Sequence, residues 1–161
     1  MIIRQATPGD AAAMLEIYRP IVEDTAISFE LAVPTVDDFA SRIEKYLATH
    51  EWLVAEIDGE VAGYAYASSH RARAAYRFSA EVSVYVHPQY QGQGLGKKLY
   101  TALFDSIRER GFHYAYGGIT LPNDASVALH KACGFSEIGT FSEVGFKYDS
   151  WHDVSWWQRK I

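Results

Sequence analysis

Cysteine is almost missing from this chain: Cys133 stands alone, so no internal disulfide can form. A reducing cytoplasm fits that usage. Basic excess is missing too, with 15 Lys and Arg against 20 Asp and Glu and a formal net charge of −5. A nucleic-acid binder would carry a basic footprint, so no nucleic-acid partner is expected. No apolar run reaches the roughly 18 residues that a membrane helix needs, so no membrane partner is expected. The opening Met1-Ile2-Ile3-Arg4-Gln5 lacks the shape of a signal peptide and reads as a first strand. Linkers, repeats and low-complexity segments are absent, and His87, His113 and His152 show no ligand spacing, so no metal is expected.

What is present is enough for one domain over residues 1–161, with 48% apolar residues to build a core. Aromatic residues reach 14%, including 11 Tyr and 4 Trp. Such a share suits a pocket lining or a subunit interface.

The pattern predicts the order β-α-α-β-β-β-α-β-α-β-β. Thr7-Pro8-Gly9-Asp10 carries a hydroxyl N-cap, a Pro at N1 and an acid at N3. An apolar stripe follows at Ala13, Ile17 and Ile21, with Met14 and Tyr18. Thr35 to Asp38 repeats the start signal for a helix through Leu47. Trp52–Ile57 and Val61–Ser68 flank Asp58-Gly59, a hairpin turn. Glu81–His87 is a strand stopped by Pro88, and Leu95–Arg110 is a helix stopped by Gly111. Tyr114–Thr120 is a strand, and Asn123-Asp124 starts a helix that ends at Cys133. Phe135–Gly139, Phe146–Ser150 and His152–Gln158 read as closing strands.

The segment Gln91-Gly92-Gln93-Gly94-Leu95-Gly96-Lys97-Lys98 joins the Val82–Val86 strand to the next helix. A glycine-rich turn there leaves backbone N–H groups bare at a helix start, where the dipole adds partial positive charge. That is a phosphate cradle. The same glycines also serve a plain tight connection. Lys97 and Lys98 sit in the first turn, where cations cost roughly 0.3–1 kcal/mol each, and a bound polyanion removes that conflict. A dinucleotide fold wants its glycine loop after the first strand, whereas this one comes mid-chain.

The Q-x-x-G-x-G spacing resembles the acyl-CoA-binding signature of the GNAT superfamily of N-acetyltransferases. Asn123, His130 and Gly134-Phe135 form its second mark, an N-x6-[Y/H]-x3-G-F pattern. The family commonly has a tyrosine at the position of His130, often an acid toward the leaving thiolate, and this chain departs from it. Nearly the whole chain is similar to the phosphinothricin and methionine sulfone/sulfoximine acetyltransferases of that superfamily. The stretches Trp52–Glu56, Asp58–Gly63, Arg71–Tyr76, Leu121–Asp124 and Trp151-His152-Asp153-Val154 carry the likeness. The resemblance implies a mixed, mostly antiparallel sheet that splays after strand four and is flanked by helices. It also implies acetyl-CoA as co-substrate, a small amino acid as acceptor, and a homodimer. Pantetheine would lie along Val84, Tyr85 and Val86. The pyrophosphate would lie on Gln91, Gly92, Gln93, Gly94, Leu95, Gly96 and Lys97, with Asn123 nearby. Glu81 and His130 fall where the subfamily has its catalytic carboxylate and active-site histidine.

The residues themselves bear on these roles. Alternation puts Val82, Val84 and Val86 on one face and Glu81, Ser83, Tyr85 and His87 on the other. A lone strand glutamate is ordinarily solvated. Among Tyr76, Phe78 and Tyr85, a carboxylate can have its pKa raised enough to act as a base. His130 is either a helix-face histidine satisfied by a carbonyl or a titrating group. In the second case it protonates a thiolate, deprotonates an amine or holds an acidic substrate. Arg71, Arg73 and Tyr76 form either a solvated loop or a site for a carboxylate or phosphinate, which guanidinium binds bidentately. Phe29, Tyr85 and Val154 are candidates for the apolar wall of the substrate site, and Cys133 reads as packing. Acetylation of another amine (a polyamine, an aminoglycoside or a protein N-terminus) is the competing enzymatic reading. A CoA-binding regulatory module without turnover is the competing class, and Glu81 with His130 argues against it.

Overall fold

A computed structural model describes all residues from Met1 to Ile161. Thr7 opens a 3-10 turn at Pro8–Asp10, where the Asp10 carboxylate accepts the Thr7 N–H at 2.8 Å and pairs with Arg4. Helix α1 (Ala11–Asp24) continues from it, and Thr35 caps helix α2 (Val36–Leu47) by accepting the Asp38 N–H. Such a cap contributes about 1 kcal/mol.

Strands β1 (Ile2–Gln5), β2 (Trp52–Ile57), β3 (Glu60–Ser69) and β4 (Ser79–Val86) form an antiparallel arm of one sheet. The Asp58-Gly59 turn takes positive φ at both residues, as a two-residue hairpin demands. Helix α3 (Leu95–Glu109) follows β4 and leads into β5 (Tyr114–Thr120), and α4 (Asp124–Ala132) follows β5. Strands β6 (Ser136–Lys147) and β7 (Ser150–Lys160) close the chain. The sheet has seven strands in the order β1-β2-β3-β4-β5-β7-β6. This is the mixed, largely antiparallel sheet that the resemblance implied.

Two cores lie on opposite faces of that sheet. Leu95, Leu99, Leu103 and Ile107 of α3 pack with Leu53, Ala65 and Val82 on one side. Met14, Ile17 and Tyr18 of α1 and Phe39 of α2 pack on Trp52, Val54 and Tyr64 on the other. Each large apolar side chain so buried contributes roughly 1.5–3 kcal/mol.

The closing strands need correction. The chain makes two long strands where the pattern suggested three segments. Register shifts between Glu137 and Gly139 and between Phe141 and Gly145 interrupt the alternation within β6. The reversal falls at Tyr148-Asp149, both at positive φ and neither a glycine.

The feature that makes the site is a parting of the sheet. β4 and β5 run parallel and pair only from Ser79 to Glu81, against Tyr114 to Tyr116. Beyond Glu81 the β5 side of β4 carries no strand, so a wedge opens along Val82–Val86.

Candidate active site

The wedge holds two joined clefts. The wider has a volume of about 380 Å³ and is bounded by Phe29, Glu81, Ser83, Tyr85, Val154 and Trp156, among others. The narrower, about 60 Å³, runs between Val82–Tyr85 of β4 and Asn123, Ser126 and His130 at α4. Ser83, Tyr85, Gly118 and Thr120 border both. Four of the expected residues, Phe29, Glu81, Tyr85 and Val154, therefore meet at one cleft, with Val84, His130 and Asn123 at its inner continuation.

Glu81 sits at the last paired position of β4, opposite Ser68 on β3 and Tyr116 on β5. Its carboxylate is half-buried, and burial pushes its pKa up. A hydrogen bond from His70 at 3.1 Å and the charge of Arg71 oppose the rise without cancelling it. The net result is a carboxyl group whose pKa is raised from the ordinary glutamate value, the direction that strengthens a base.

His130 is buried on α4. Its Nδ1 lies 2.7 Å from the Ser126 carbonyl, which can only accept, so Nδ1 carries hydrogen. Nε2 is left to accept from the Tyr100 hydroxyl at 3.2 Å. Burial lowers the histidine pKa against the opposing Ser126 bond, so the ring is held neutral. Asn123 spends its side-chain oxygen capping α4 through the Ser126 N–H. Cys133 packs in the core.

The glycine loop has the geometry of an anion cradle. None of the N–H groups from Gly92 to Lys97 has an acceptor in the chain, and the first helical bond runs from Lys98 to Gly94. Gly92 and Gly94 take φ of +73° and +77°, a conformation that L side chains rarely adopt. The first turn of α3 contains no acidic residue. The Gln91 side chain donates to the Val86 carbonyl, tying the loop to the end of β4.

Arg71, Arg73 and Tyr76 stand apart. All three are exposed on the loop between β3 and β4, and none lines the wide cleft. The cation that does line it is Arg42, which pairs with Glu30, and Glu30 also accepts from the Tyr18 hydroxyl. Burial alone would raise Glu30, but the bonds from Arg42 and Tyr18 outweigh it and hold the carboxyl below its ordinary value. Sequence reasoning missed this trio, which comes from α1, a loop and α2, and no local pattern signals it. It missed His70 as well, although His70 directly precedes the Arg71–Tyr76 stretch. No group of three His, Cys, Asp or Glu converges as a metal site would need.

Residues 13–135 match the profile of the acetyltransferase (GNAT) family. The chain belongs to that family. It is 41% identical over 157 residues to a phosphinothricin N-acetyltransferase of Streptomyces viridochromogenes, covering 98% of this chain and 86% of the relative. It is 38% identical over 162 residues to an L-methionine sulfoximine/L-methionine sulfone acetyltransferase of Salmonella typhimurium, covering 100% of this chain and 95% of that one. Among solved structures it resembles a GNAT superfamily phosphinothricin acetyltransferase of Sinorhizobium meliloti in complex with acetyl-CoA. The TM-score there is 0.94 and the identity 34%, over 99% of this chain and 88% of that one. The bare N–H loop and the parting of β4 from β5 both lie within the matched residues.

Proposed function

We propose that the protein transfers acetyl from acetyl-CoA to the α-amine of a small amino acid of the phosphinothricin, methionine sulfoximine or methionine sulfone type. The observation that carries this is the half-buried Glu81 at the point where β4 and β5 part, one end of a wedge whose other end is the N–H loop. The pyrophosphate is held by the N–H groups of Gly92 to Lys97 with the helix dipole behind them. Pantetheine lies along Val84 and Val86 like an added strand. The acceptor amine arrives protonated, and Glu81 removes the proton, directly or through one water. The free amine attacks the thioester carbonyl, with the Val84 N–H as oxyanion donor. The carbon–sulfur bond then breaks and the thiolate takes a proton. His130 borders the narrow cleft; its neutral ring takes the proton that the newly bonded nitrogen sheds and hands it to the thiolate, and its lowered pKa makes that hand-over easy. No covalent enzyme intermediate is needed.

The acidic end of the substrate is assigned to Arg71, Arg73 and Tyr76, on the loop that leaves β3 beside Glu81. Arg73→Ala should raise KM for the amino acid far more than for acetyl-CoA. A homodimer completes the reading. Phe141, Phe146 and Trp151 are more than half exposed on β6 and β7, and β6 is one of the two edge strands of the sheet. Light scattering at micromolar concentration should give twice the chain mass, and a monomer mass refutes the dimer. The deciding experiment for the activity is CoA release with a panel of amines. Turnover with methionine sulfoximine and not with polyamines supports the proposal, and the reverse sinks it.

A further inference from the structure

His70 lies one residue beyond β3, where the register sets Ser68 opposite Glu81 and Ser69 opposite Ala80. The chain thus leaves β3 alongside the Glu81 carboxylate. His70 Nδ1 is 3.1 Å from Glu81 Oε2. A carboxylate oxygen accepts, so the hydrogen sits on Nδ1. The ring is fixed from several sides. It stacks on Tyr116 at 4.7 Å with planes 18° apart, and it meets Tyr76 at 5.9 Å and Trp156 at 6.2 Å edge-on. Tyr116 is itself the β5 partner of Glu81. Residues of β5 and β7 and of the short turn at Ala74–Tyr76 therefore clamp one imidazole against one carboxylate.

A histidine beside a glutamate is ordinary on a surface, where both side chains swing freely. Here the histidine side chain is only 17% exposed. The Glu81 carboxylate makes no other hydrogen bond: Oε2 is engaged by His70, and Oε1 has no partner in the chain. We infer that His70 is a positioning residue for the proton-accepting carboxylate, holding Oε2 so that Oε1 alone is presented to the incoming ammonium group. The inference rests on the reading of Glu81 as general base.

The bond also favours the charged carboxylate, against the burial that disfavours it. Other ionisable groups face the pair. Arg71 follows His70 and its charge acts the same way, and Tyr76 and Tyr116 flank the ring. Across the wide cleft stand the Glu30–Arg42 pair, Tyr18, Tyr66 and Tyr85. None of them hydrogen-bonds Glu81, so losing His70 leaves the carboxylate without a donor.

Four variants test this with acetyl-CoA and methionine sulfoximine. His70→Phe keeps a ring to stack on Tyr116 and removes the donor. His70→Asn places an amide N–H near the position of Nδ1, and His70→Leu has nearly the same shape without it. Glu81→Gln reports on the base itself. In His70→Phe and His70→Leu, kcat at neutral pH should fall about tenfold, a fraction of what general-base loss costs. KM for acetyl-CoA should stay unchanged, and the acidic limb of kcat should move to higher pH. His70→Asn should recover most of the rate and of the limb position. Wild-type kcat and limb in His70→Phe, or identical behaviour of Asn and Leu, overturn the inference. Should one variant fail to fold, the comparison within the remaining pair decides. If Glu81→Gln retains wild-type kcat, the base reading itself has failed. If Glu81→Gln is inactive while His70→Phe is normal, only the role of His70 falls.

Discussion

The two walls of the wedge hold their ionisable groups in opposite ways. On β4, the Glu81 side chain keeps 35% of its surface exposed and has one hydrogen bond, from His70. On α4, His130 is 4% exposed and has both ring nitrogens committed, to Ser126 and Tyr100. Burial moves the two pKa values in opposite senses, Glu81 up and His130 down. In both cases the neutral form gains. Near neutrality the open wall presents a carboxylate that can take a proton and exchange it with water. The sealed wall presents a neutral imidazole inside a packed network. The proposed function accordingly puts the proton acceptor on the wall that solvent can reach.

The largest effect that tests this contrast is Glu81→Gln. It keeps the shape and removes the basicity, so kcat should fall by roughly 10²–10⁴. The sign of the pH dependence follows from the raised pKa. A base works when deprotonated, so activity is lost as pH falls through the Glu81 pKa. That loss should begin above the ordinary carboxylate range. In Glu81→Gln this acidic limb should vanish from the kcat profile while CoA affinity stays unchanged. Near wild-type kcat at neutral pH would move the base to the sealed wall and reverse the contrast.

Next comes the loop at the end of the open wall. Gly94→Val places a β-branched residue at φ +77°. The added Cβ meets nothing within 4 Å, so the cost is conformational strain and a blocked approach to the cradle, not a clash in the core. Calorimetry should show CoA binding weakened by at least about tenfold, the equivalent of 1.4 kcal/mol. Unchanged affinity in a folded variant would remove the loop from the site.

How much of this was legible in the sequence depended on the range of the interaction. The Asp58-Gly59 turn, the Asn123 cap, the alternation of β4 and the glycine loop are all local, and each has a backbone reason that a short window contains. β6 was not legible as one strand. Its register shifts and the positive φ of Glu143 break the period that identifies a strand. The His70–Glu81 contact needs the β3–β4 register, and the Tyr18–Glu30–Arg42 group needs α1 and α2 docked on the sheet. Neither leaves a mark at fixed spacing. The family resemblance could bring Glu81 and His130 to attention but not the side chains that set their protonation.

A steric test probes the sealed wall. A Cβ at Gly117 on β5 would lie 2.7 Å from His130 Nε2. Gly117→Ala should therefore displace the imidazole and strain the contact with Tyr100. Overpacking of this kind costs about 1–3 kcal/mol, so the melting temperature should fall by several degrees. If His130 only fills space, kcat should survive in the folded fraction. If it passes a proton to the thiolate, kcat should drop alongside stability, by about the same factor as in His130→Ala.

The smallest expected effect is that of Tyr100→Phe. Tyr100 of α3 is almost fully buried, stacked near Phe104 and set edge-on to His130 of α4. Removing its hydroxyl takes away the donor to Nε2 and leaves that nitrogen without a partner, while Nδ1 stays bonded to the Ser126 carbonyl. One buried hydrogen bond contributes about 1 kcal/mol, and the vacated hydroxyl leaves little space. Stability should fall by about that amount, KM for acetyl-CoA should hold, and kcat should drop only a few-fold. The acidic limb should stay where wild type has it, because Tyr100 makes no bond to Glu81. A kcat loss as large as that of Glu81→Gln would show that the principal proton path runs through Tyr100 and His130. The open wall would then serve to hold the substrate, and the assignment of Glu81 as base would have to be given up.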